Sequence, residues 1–357
     1  MEHIFKDLKV IELASVLAGP AVGLFFAELG AEVIKIENKK TGGDVTRTWR
    51  LPSEDKGAPV SAYYCAINWN KKVQFLDLGT EEGKKAVYEL VKEADVVVAN
   101  YKKQSAQKLG MDYDSLKSIR PDLIYANISG FGETSERVAF DVVLQAESGF
   151  MYMNGQPKSP PTKMPVALID VLAAHQLKEG ILVALLQRYK TGKGAYVSIS
   201  LLEAAVASLA NQATNWLMGK HIPQRMGSLH PNIAPYGELF ETKDDKLLIL
   251  SIGSDRQFLA LCTCLNRLDL LEDLNYKTNI GRVKNRLTLA KALRASFKDL
   301  IARDVLERCH QHFVPIGQVR NMQEVFEQPT AQEMILEENI DGLSTKRVRT
   351  AAFKIGE

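Results

Sequence analysis

Apolar and polar positions fall along the chain in blocks of changing period, and these blocks predict alternating strands and helices. Val10-Ile11-Glu12-Leu13 is a short strand, residues 20–29 form a helix opened by Pro20 and closed by Gly30, and residues 31–37 form a second strand with a nearly continuous apolar run. Together they make a βαβ unit. The pattern recurs: a helix over 80–92 precedes a strand at 95–99, and a helix over 104–119 precedes a strand at 122–126. Such alternation implies a parallel sheet covered on both faces, whose ligands bind beyond the carboxyl ends of the strands.

A Gly- and Pro-rich loop over 154–165 leads into a helix over 171–189. Thr191-Gly192-Lys193-Gly194 then turns into a strand at 195–200, followed by an Ala-rich helix over 201–218. The character changes after that. His230 to Tyr236 reads as a stiff connection, 237–252 alternates as a hairpin turning at Lys243-Asp244-Asp245-Lys246, and helical patterns run from 255 to 313. The expected organisation is a first domain over 1–200 completed by a tail at 320–357, and a smaller domain over 225–315. Residues 201–224 and 316–320 serve as linkers.

Composition narrows the partners. A chain of 357 residues with 46% hydrophobic and 25% charged positions suits two globular cores. With 45 basic and 43 acidic residues, the formal charge of +2 offers no overall field for nucleic acid or a membrane surface, so a small molecule is the expected partner. Cys65, Cys262, Cys264 and Cys309 show neither metal-ligand spacing nor the density of a disulfide scaffold, which points to reduced thiols and a cytoplasmic protein. The start, Met1 to Asp7, lacks the basic patch and apolar run of a signal peptide, and no stretch approaches the roughly 20 apolar residues of a spanning helix. His175, His221, His230, His310 and His312 pair with no Cys or Glu at metal spacing, and no Gly-x-Ser-x-Gly elbow occurs, so no metal is expected.

The candidate chemistry lies in the loops. Gly19 and Gly23 are spaced Gly-x-x-x-Gly, and Pro20 removes a backbone N–H, so the first turn is a poor dinucleotide loop. Arg47, Arg50, Lys71, Lys72, Lys102, Lys103 and Lys108, with Asn68, Asn70 and Asn100, gather where the sheet's carboxyl edge should fall. A phosphorylated ligand needs such charges, although each also reads as a solvated loop residue. Ser129-Gly130-Phe131-Gly132, then Phe140-Asp141, then Gln145 to Gly149 form a glycine-kinked loop that delivers one carboxylate to the start of a helix. Asp141 reads two ways. It is either an N-cap or an ionised nucleophile stabilised by the helix N-terminus, with Gln145 and residues 129–132 as donors to a developing oxyanion.

Taken in order, Ala18-Gly19-Pro20, Leu29 to Glu37, Gly43-Asp44 through Arg47, Asn70-Lys71, Asp95 through Asn100, Ser129 to Gly132, Asp141 through Gly149, Asp170, Thr191 to Gly194, Ala234-Pro235-Tyr236 and Pro315-Ile316-Gly317 form an extended pattern. This pattern resembles the class III coenzyme A transferases of the CaiB/BaiF type, which include formyl-CoA and carnitine-CoA transferases and are related to 2-methylacyl-CoA racemases. The resemblance implies an α/β fold: a Rossmann-like, CoA-binding large domain with a parallel sheet, a smaller α+β domain, and an interlocked homodimer. It also implies transfer of coenzyme A from an acyl-CoA to a carboxylic acid, without metal or redox cofactor, through an aspartyl mixed anhydride and an aspartyl-CoA thioester. Asp141 matches the nucleophile. Val16, Ala18, Arg47, Lys71, Asn100, Lys108 and Gly130 match CoA contacts, and Gln145 and Asp170 match supporting positions.

The pattern also has departures. Asn38 replaces an Arg near the adenosine phosphates, Tyr101 to Gln104 replaces an aromatic-basic-Pro-Gly turn, and Leu17 replaces a Gln that positions small polar substrates. Phe140 stands where a racemase needs a His, so transfer is expected over racemisation. An inactive acyl-CoA-binding protein is the remaining alternative, and it would be free to lose Asp141.

Overall fold

The structure, a computed structural model, describes residues 4–356, so residues 1–3 of the N-terminal reading lie outside it. It divides into two units, one of Met1–Met151, Lys163–Ile222 and Pro329–Glu357, the other of Tyr152–Thr162 and Pro223–Gln328. The elements up to residue 219 run β1 (Lys9–Leu13), α1 (Ala18–Glu28), β2 (Glu32–Asn38), α2 (Ala62–Cys65), β3 (Lys72–Leu76), α3 (Glu81–Val91), β4 (Val96–Ala99), α4 (Lys103–Leu109), α5 (Tyr113–Ile119), β5 (Ile124–Ser129), α6 (Asp141–Glu147), α7 (Phe150–Met153), α8 (Leu168–Thr191), β6 (Ala195–Ser200), α9 (Leu201–Ala207) and α10 (Ala210–Gly219).

The first unit is organised by a parallel sheet in the order β3-β2-β1-β4-β5-β6. Successive strand residues point to opposite faces, so each central strand feeds two cores. Val10, Val33, Val96 and Ile124 pack with Phe25, Phe26, Leu177 and Ile181 on the face covered by α1 and α8. Ile11, Ile34, Val97 and Tyr125 pack with Val87, Val91 and Leu116 on the other. Burial on both faces is why these strands read as apolar runs rather than as alternation.

Several boundaries differ from the sequence expectation for identifiable reasons. α1 begins at Ala18, which leaves Pro20 in the first turn, where a missing N–H has no intrahelical partner to lose. The expected helix over 104–119 is broken at Gly110, which takes φ +69°, and Asp112 then caps α5 by accepting the Ser115 N–H at 3.3 Å. The expected helix over 201–218 is likewise two helices, with Ala210, the first residue of the second, at φ +49°. β3 was not anticipated, because a sheet-edge strand that mixes Lys72 and Gln74 with apolar residues has no continuous run.

The C-terminal residues join this first unit. β10 (Ile335–Ile340) and β11 (Leu343–Val348) form a hairpin whose Glu338 accepts the Asn70 N–H at 2.8 Å. Beyond it, Glu28 of α1 accepts the N–H groups of Thr350 at 2.9 Å and Ala351 at 2.7 Å and pairs with Arg347.

In the second unit β7 (Tyr236–Glu241), β8 (Leu247–Ser251) and β9 (Ile316–Gln318) form an antiparallel sheet. Its helices are α11 (Asp255–Cys264), α12 (Asp269–Glu272), α13 (Asn279–Lys284), α14 (Arg286–Phe297) and α15 (Ala302–Gln311). Phe240 and Phe297 stack at 4.7 Å in its core, among Phe258, Leu261 and Val305. Cys262 and Cys309 are buried in this core, and burial pushes their thiols up to about 12. The α/β class with a smaller α+β unit matches the expectation. Among the described residues, no helix is long and apolar enough to cross a membrane, and no group of His, Cys, Asp and Glu could hold a metal ion.

Candidate active site

The strand order reverses direction between β1 and β4, and in a parallel sheet this switch point opens a crevice at the carboxyl ends. Two loops meet there. Asn100, directly after β4, grips the peptide groups of Ser15, accepting its N–H at 3.2 Å and donating to its carbonyl at 2.9 Å. Val16 follows in the left-handed region at φ +72°, a costly conformation for a β-branched residue. Its N–H donates to Asp44 Oδ2 at 3.3 Å, and α1 starts two residues later at Ala18.

The facing wall comes from β5 and α6. Gly130 follows β5 and passes so close to Ala139 that a β-carbon would collide with it. Phe140 takes the N-cap position, without a side-chain cap, and Asp141 is the first residue of α6. The Asp141 side chain does not cap its own helix. Its Oδ1 accepts the backbone N–H groups of Ile169 at 2.7 Å and Asp170 at 3.4 Å, so it caps α8, whose own N-cap residue, Ala167, has no side-chain acceptor. Its Oδ2 accepts from Gln145 Nε2 at 2.5 Å. Gln145 is fully buried, and its Oε1 accepts the Met164 N–H at 2.8 Å, which fastens the approach to α8 against α6.

Asp170 is different. Its residue is 8% exposed, and among the described residues no donor reaches its carboxylate. Burial, reinforced by the charge of Asp141, pushes its carboxyl up to about 7. A cavity of about 130 Å³ brings Asp170 together with Asp141, Val16, Ala18, Asn100 and Gly130, so six of the residues singled out from sequence share one space. It adjoins two larger cavities along the sheet edge. One of about 540 Å³, with Asn38, Gly43, Leu76 and Tyr101, shares Ser15 with it; the other, of about 360 Å³, with Lys103, Tyr113 and Tyr196, shares Asn100, Ser129 and Gly130.

The structure does not bring Arg47, Lys71 or Lys108 into the small cavity. Lys71, expected at the ligand, has a fully buried side chain that pairs with Glu12 at 2.7 Å and donates to the Pro20 carbonyl at 2.8 Å and to Asn68 at 3.1 Å. Burial lowers it to about 8 in spite of Glu12, and it has no surface left for a phosphate. Arg47 is engaged by both oxygens of Glu37, at 2.6 and 3.1 Å, and lies 4.1 Å over the Tyr64 ring. Arg50 donates to the carbonyls of Asp55, Ala58 and Val60, and Lys72 pairs with Glu32 at 2.5 Å. Lys108 is exposed on the last turn of α4, where its neighbour Leu109 lines the 540 Å³ cavity. Of the basic edge read from sequence, Arg47 and Lys71 are thus held in internal ion pairs and Arg50 by backbone carbonyls, while Lys72, Lys102, Lys103 and Lys108 stay exposed, Lys102 and Lys103 beside the 360 Å³ cavity. The pairs of Arg47 and Lys71 are what sequence reasoning missed, because nothing along the chain shows that Glu37 and Glu12, on separate strands, meet them.

The family model for CoA-transferase family III matches residues 5–355. The chain is 38% identical over 354 residues to a succinate--glutarate CoA-transferase of Agrobacterium fabrum, covering 97% of this chain and 88% of that protein. It is 36% identical over 327 residues to a succinyl-CoA:glutarate CoA-transferase of Homo sapiens, covering 91% and 73%. A crystal structure of a CAIB/BAIF family protein from Brucella suis superposes with a TM-score of 0.89 at 37% identity, covering 100% of this chain and 94% of that one.

Proposed function

The chain belongs to CoA-transferase family III and is an enzyme of that type; from that premise we propose that it moves coenzyme A from succinyl-CoA to a second dicarboxylic acid such as glutarate, through covalent aspartyl intermediates. The names of the relatives in Agrobacterium fabrum and Homo sapiens support this substrate class. The reading rests on one observation: a desolvated carboxylate without a hydrogen-bond partner among the described residues, that of Asp170, in a cavity at the switch point of the sheet.

This reading moves the nucleophile from Asp141, as expected from sequence, to Asp170. Both Asp141 oxygens are held by donors at 2.5 and 2.7 Å, which lowers their readiness to attack and fixes them in place. Asp170 is instead poorly solvated and raised in basicity, both of which favour attack on a thioester once it is ionised.

In the proposed sequence a carboxylate oxygen of Asp170 attacks the donor thioester carbonyl, and the C–S bond breaks to release CoA thiolate. A mixed anhydride remains. The thiolate attacks Cγ of Asp170, and the anhydride C–O bond breaks to free the donor carboxylate and leave an aspartyl-CoA thioester. The acceptor carboxylate attacks that Cγ, expels the thiolate and forms a second anhydride. The thiolate then attacks the acceptor acyl carbon, which returns Asp170 as a carboxylate and yields the new acyl-CoA. No net proton is consumed. The 540 Å³ cavity beside Ser15 is the proposed seat of the nucleotide part of CoA, with Val16, Ala18, Asn100 and Gly130 around the thioester.

The homodimer implied by the resemblance is part of this proposal. It is supported by exposed apolar side chains on α8, among them Val183, Leu186 and Tyr189, and on α10, Leu217 and Met218. A cytoplasmic setting is supported by four cysteines that are all free and buried. The deciding experiment supplies succinyl-CoA and hydroxylamine and locates the hydroxamate by peptide mass spectrometry. Modification at Asp170 supports the reading, modification at Asp141 returns the nucleophile to that residue, and no glutaryl-CoA from succinyl-CoA and glutarate refutes the substrate pair.

A further inference from the structure

Four charged side chains, Glu12, Lys35, Asp44 and Lys71, lie beneath the loop that follows β1, each at most 1% exposed. Lys35 pairs with Glu12 at 2.8 Å and Asp44 at 3.1 Å and donates to the Ala14 carbonyl at 2.8 Å, while Lys71 pairs with Glu12 at 2.7 Å. α1 lies over this group at Gly23, where a β-carbon would meet the Glu12 carboxylate. Ions sealed from water are expensive, and apolar residues of similar volume serve stability as well or better. Their retention under one loop calls for a reason beyond packing.

One contact leads from the cluster to the site. The Asp44 oxygen that pairs with Lys35 also accepts the N–H of Val16, the residue held at φ +72°. A β-branched side chain leaves that region unless its surroundings over-determine it. Asn100 restrains the preceding peptide from the front, through both backbone groups of Ser15, and Asp44 restrains the next N–H from behind. Relaxation of Val16 to negative φ would rotate the peptides that lead into α1. The first N–H groups of that helix have no intrahelical acceptors and are available to a ligand.

Resting on the transfer chemistry above, we propose that Asp44, backed by Lys35, is a positioning residue: it holds Val16 in its left-handed conformation so that the N–H groups entering α1 stay aimed at the cavity of Asp170, where the thioester oxygen gains negative charge. The charge on Lys35 makes the grip specific. It fixes which Asp44 oxygen faces Val16, while the other accepts the Thr46 N–H at 3.0 Å and the Thr46 hydroxyl at 2.8 Å.

The test uses the full-length protein and Asp44→Ser, which keeps an acceptor for the Thr46 N–H but is too short to reach Val16. With succinyl-CoA and glutarate, kcat is expected to fall about 100-fold, as for loss of an oxyanion donor, with KM for succinyl-CoA changed by less than about threefold. Adding Val16→Gly is expected to restore about tenfold of that loss, because glycine adopts positive φ unaided. A raised KM at constant kcat, or a double variant no faster than Asp44→Ser, overturns the proposal. A crystal structure of Asp44→Ser gives a readout independent of turnover: Val16 at negative φ supports the proposal, and Val16 still near +72° overturns it even if the wild type does not use these two acids. Should Asp44→Ser fail to fold, rescue of folding by Val16→Gly supports the proposal, and failure of both variants makes Asp44 a structural weld and sinks it.

Discussion

The Asp141 carboxylate accepts the backbone N–H of Asp170 at 3.4 Å while its charge helps to hold the Asp170 carboxyl near 7. One acidic residue thus anchors the main chain of the other and raises the basicity of its side chain. The two carboxylates differ in environment because one has donors and the other does not.

Removing the proposed nucleophile should cost far more than removing its anchor. Asp170→Ala is expected to lower kcat at least about 10³-fold with little loss of fold, whereas Asp141→Asn is expected to lose about 0.5–2 kcal/mol of stability and a smaller factor in kcat. Steady-state kinetics with thermal denaturation on both variants checks this. Equal activity losses, with the hydroxamate at Asp141, would refute the assignment.

Activity should depend on pH through the same pair. Only the ionised carboxylate attacks, so kcat/KM for succinyl-CoA should rise with pH through about 7. Asp141→Asn removes one of the two causes of the shift and should move this limb to lower pH, while burial keeps it above the ordinary carboxylate range. A limb near 4 in the wild type would contradict the geometry.

Stability should respond in the opposite sense. The folded value of Asp170 lies above its unfolded value of 3.8, so the ionised form is disfavoured in the native state. Asp170→Asn should therefore stabilise the protein by up to about 4 kcal/mol above pH 7, with the gain shrinking as pH falls and vanishing near pH 4. Urea unfolding of both proteins at several pH values measures the difference. A constant difference would argue against linkage.

Lys71 should behave as a structural ion. Lys71→Met leaves one oxygen of buried Glu12 without its partner and is expected to cost about 3–5 kcal/mol, read from denaturant midpoints. Unaltered stability with a raised KM for succinyl-CoA would return Lys71 to the ligand.

Fold class was legible because the central strands are buried on both faces, so Val96 to Ala99 form an unbroken apolar run whatever the surroundings. The turn after β1, the loop at Gly130 and the carboxylates of Asp141 and Asp170 were legible as motifs. The role of Asp141 as a cap on α8 was not, because it acts across 28 residues of sequence, and nothing near Asp141 signals that helix. The basic residues misled for a related reason. A lysine in a loop reads as solvated or ligand-bound, and only three-dimensional structure shows Glu12 of β1, two strands away from β3, meeting Lys71.

Glu28 holds Thr350 and Ala351, more than 300 residues further along the chain. During synthesis α1 is made long before residues 350 and 351 and lacks this anchor until they have been added. The Glu28 carboxylate must therefore wait for these partners while residues 223–328 of the second unit are made. A stop codon at position 350 would take away the backbone partners of Glu28, on a helix made more than 300 residues earlier.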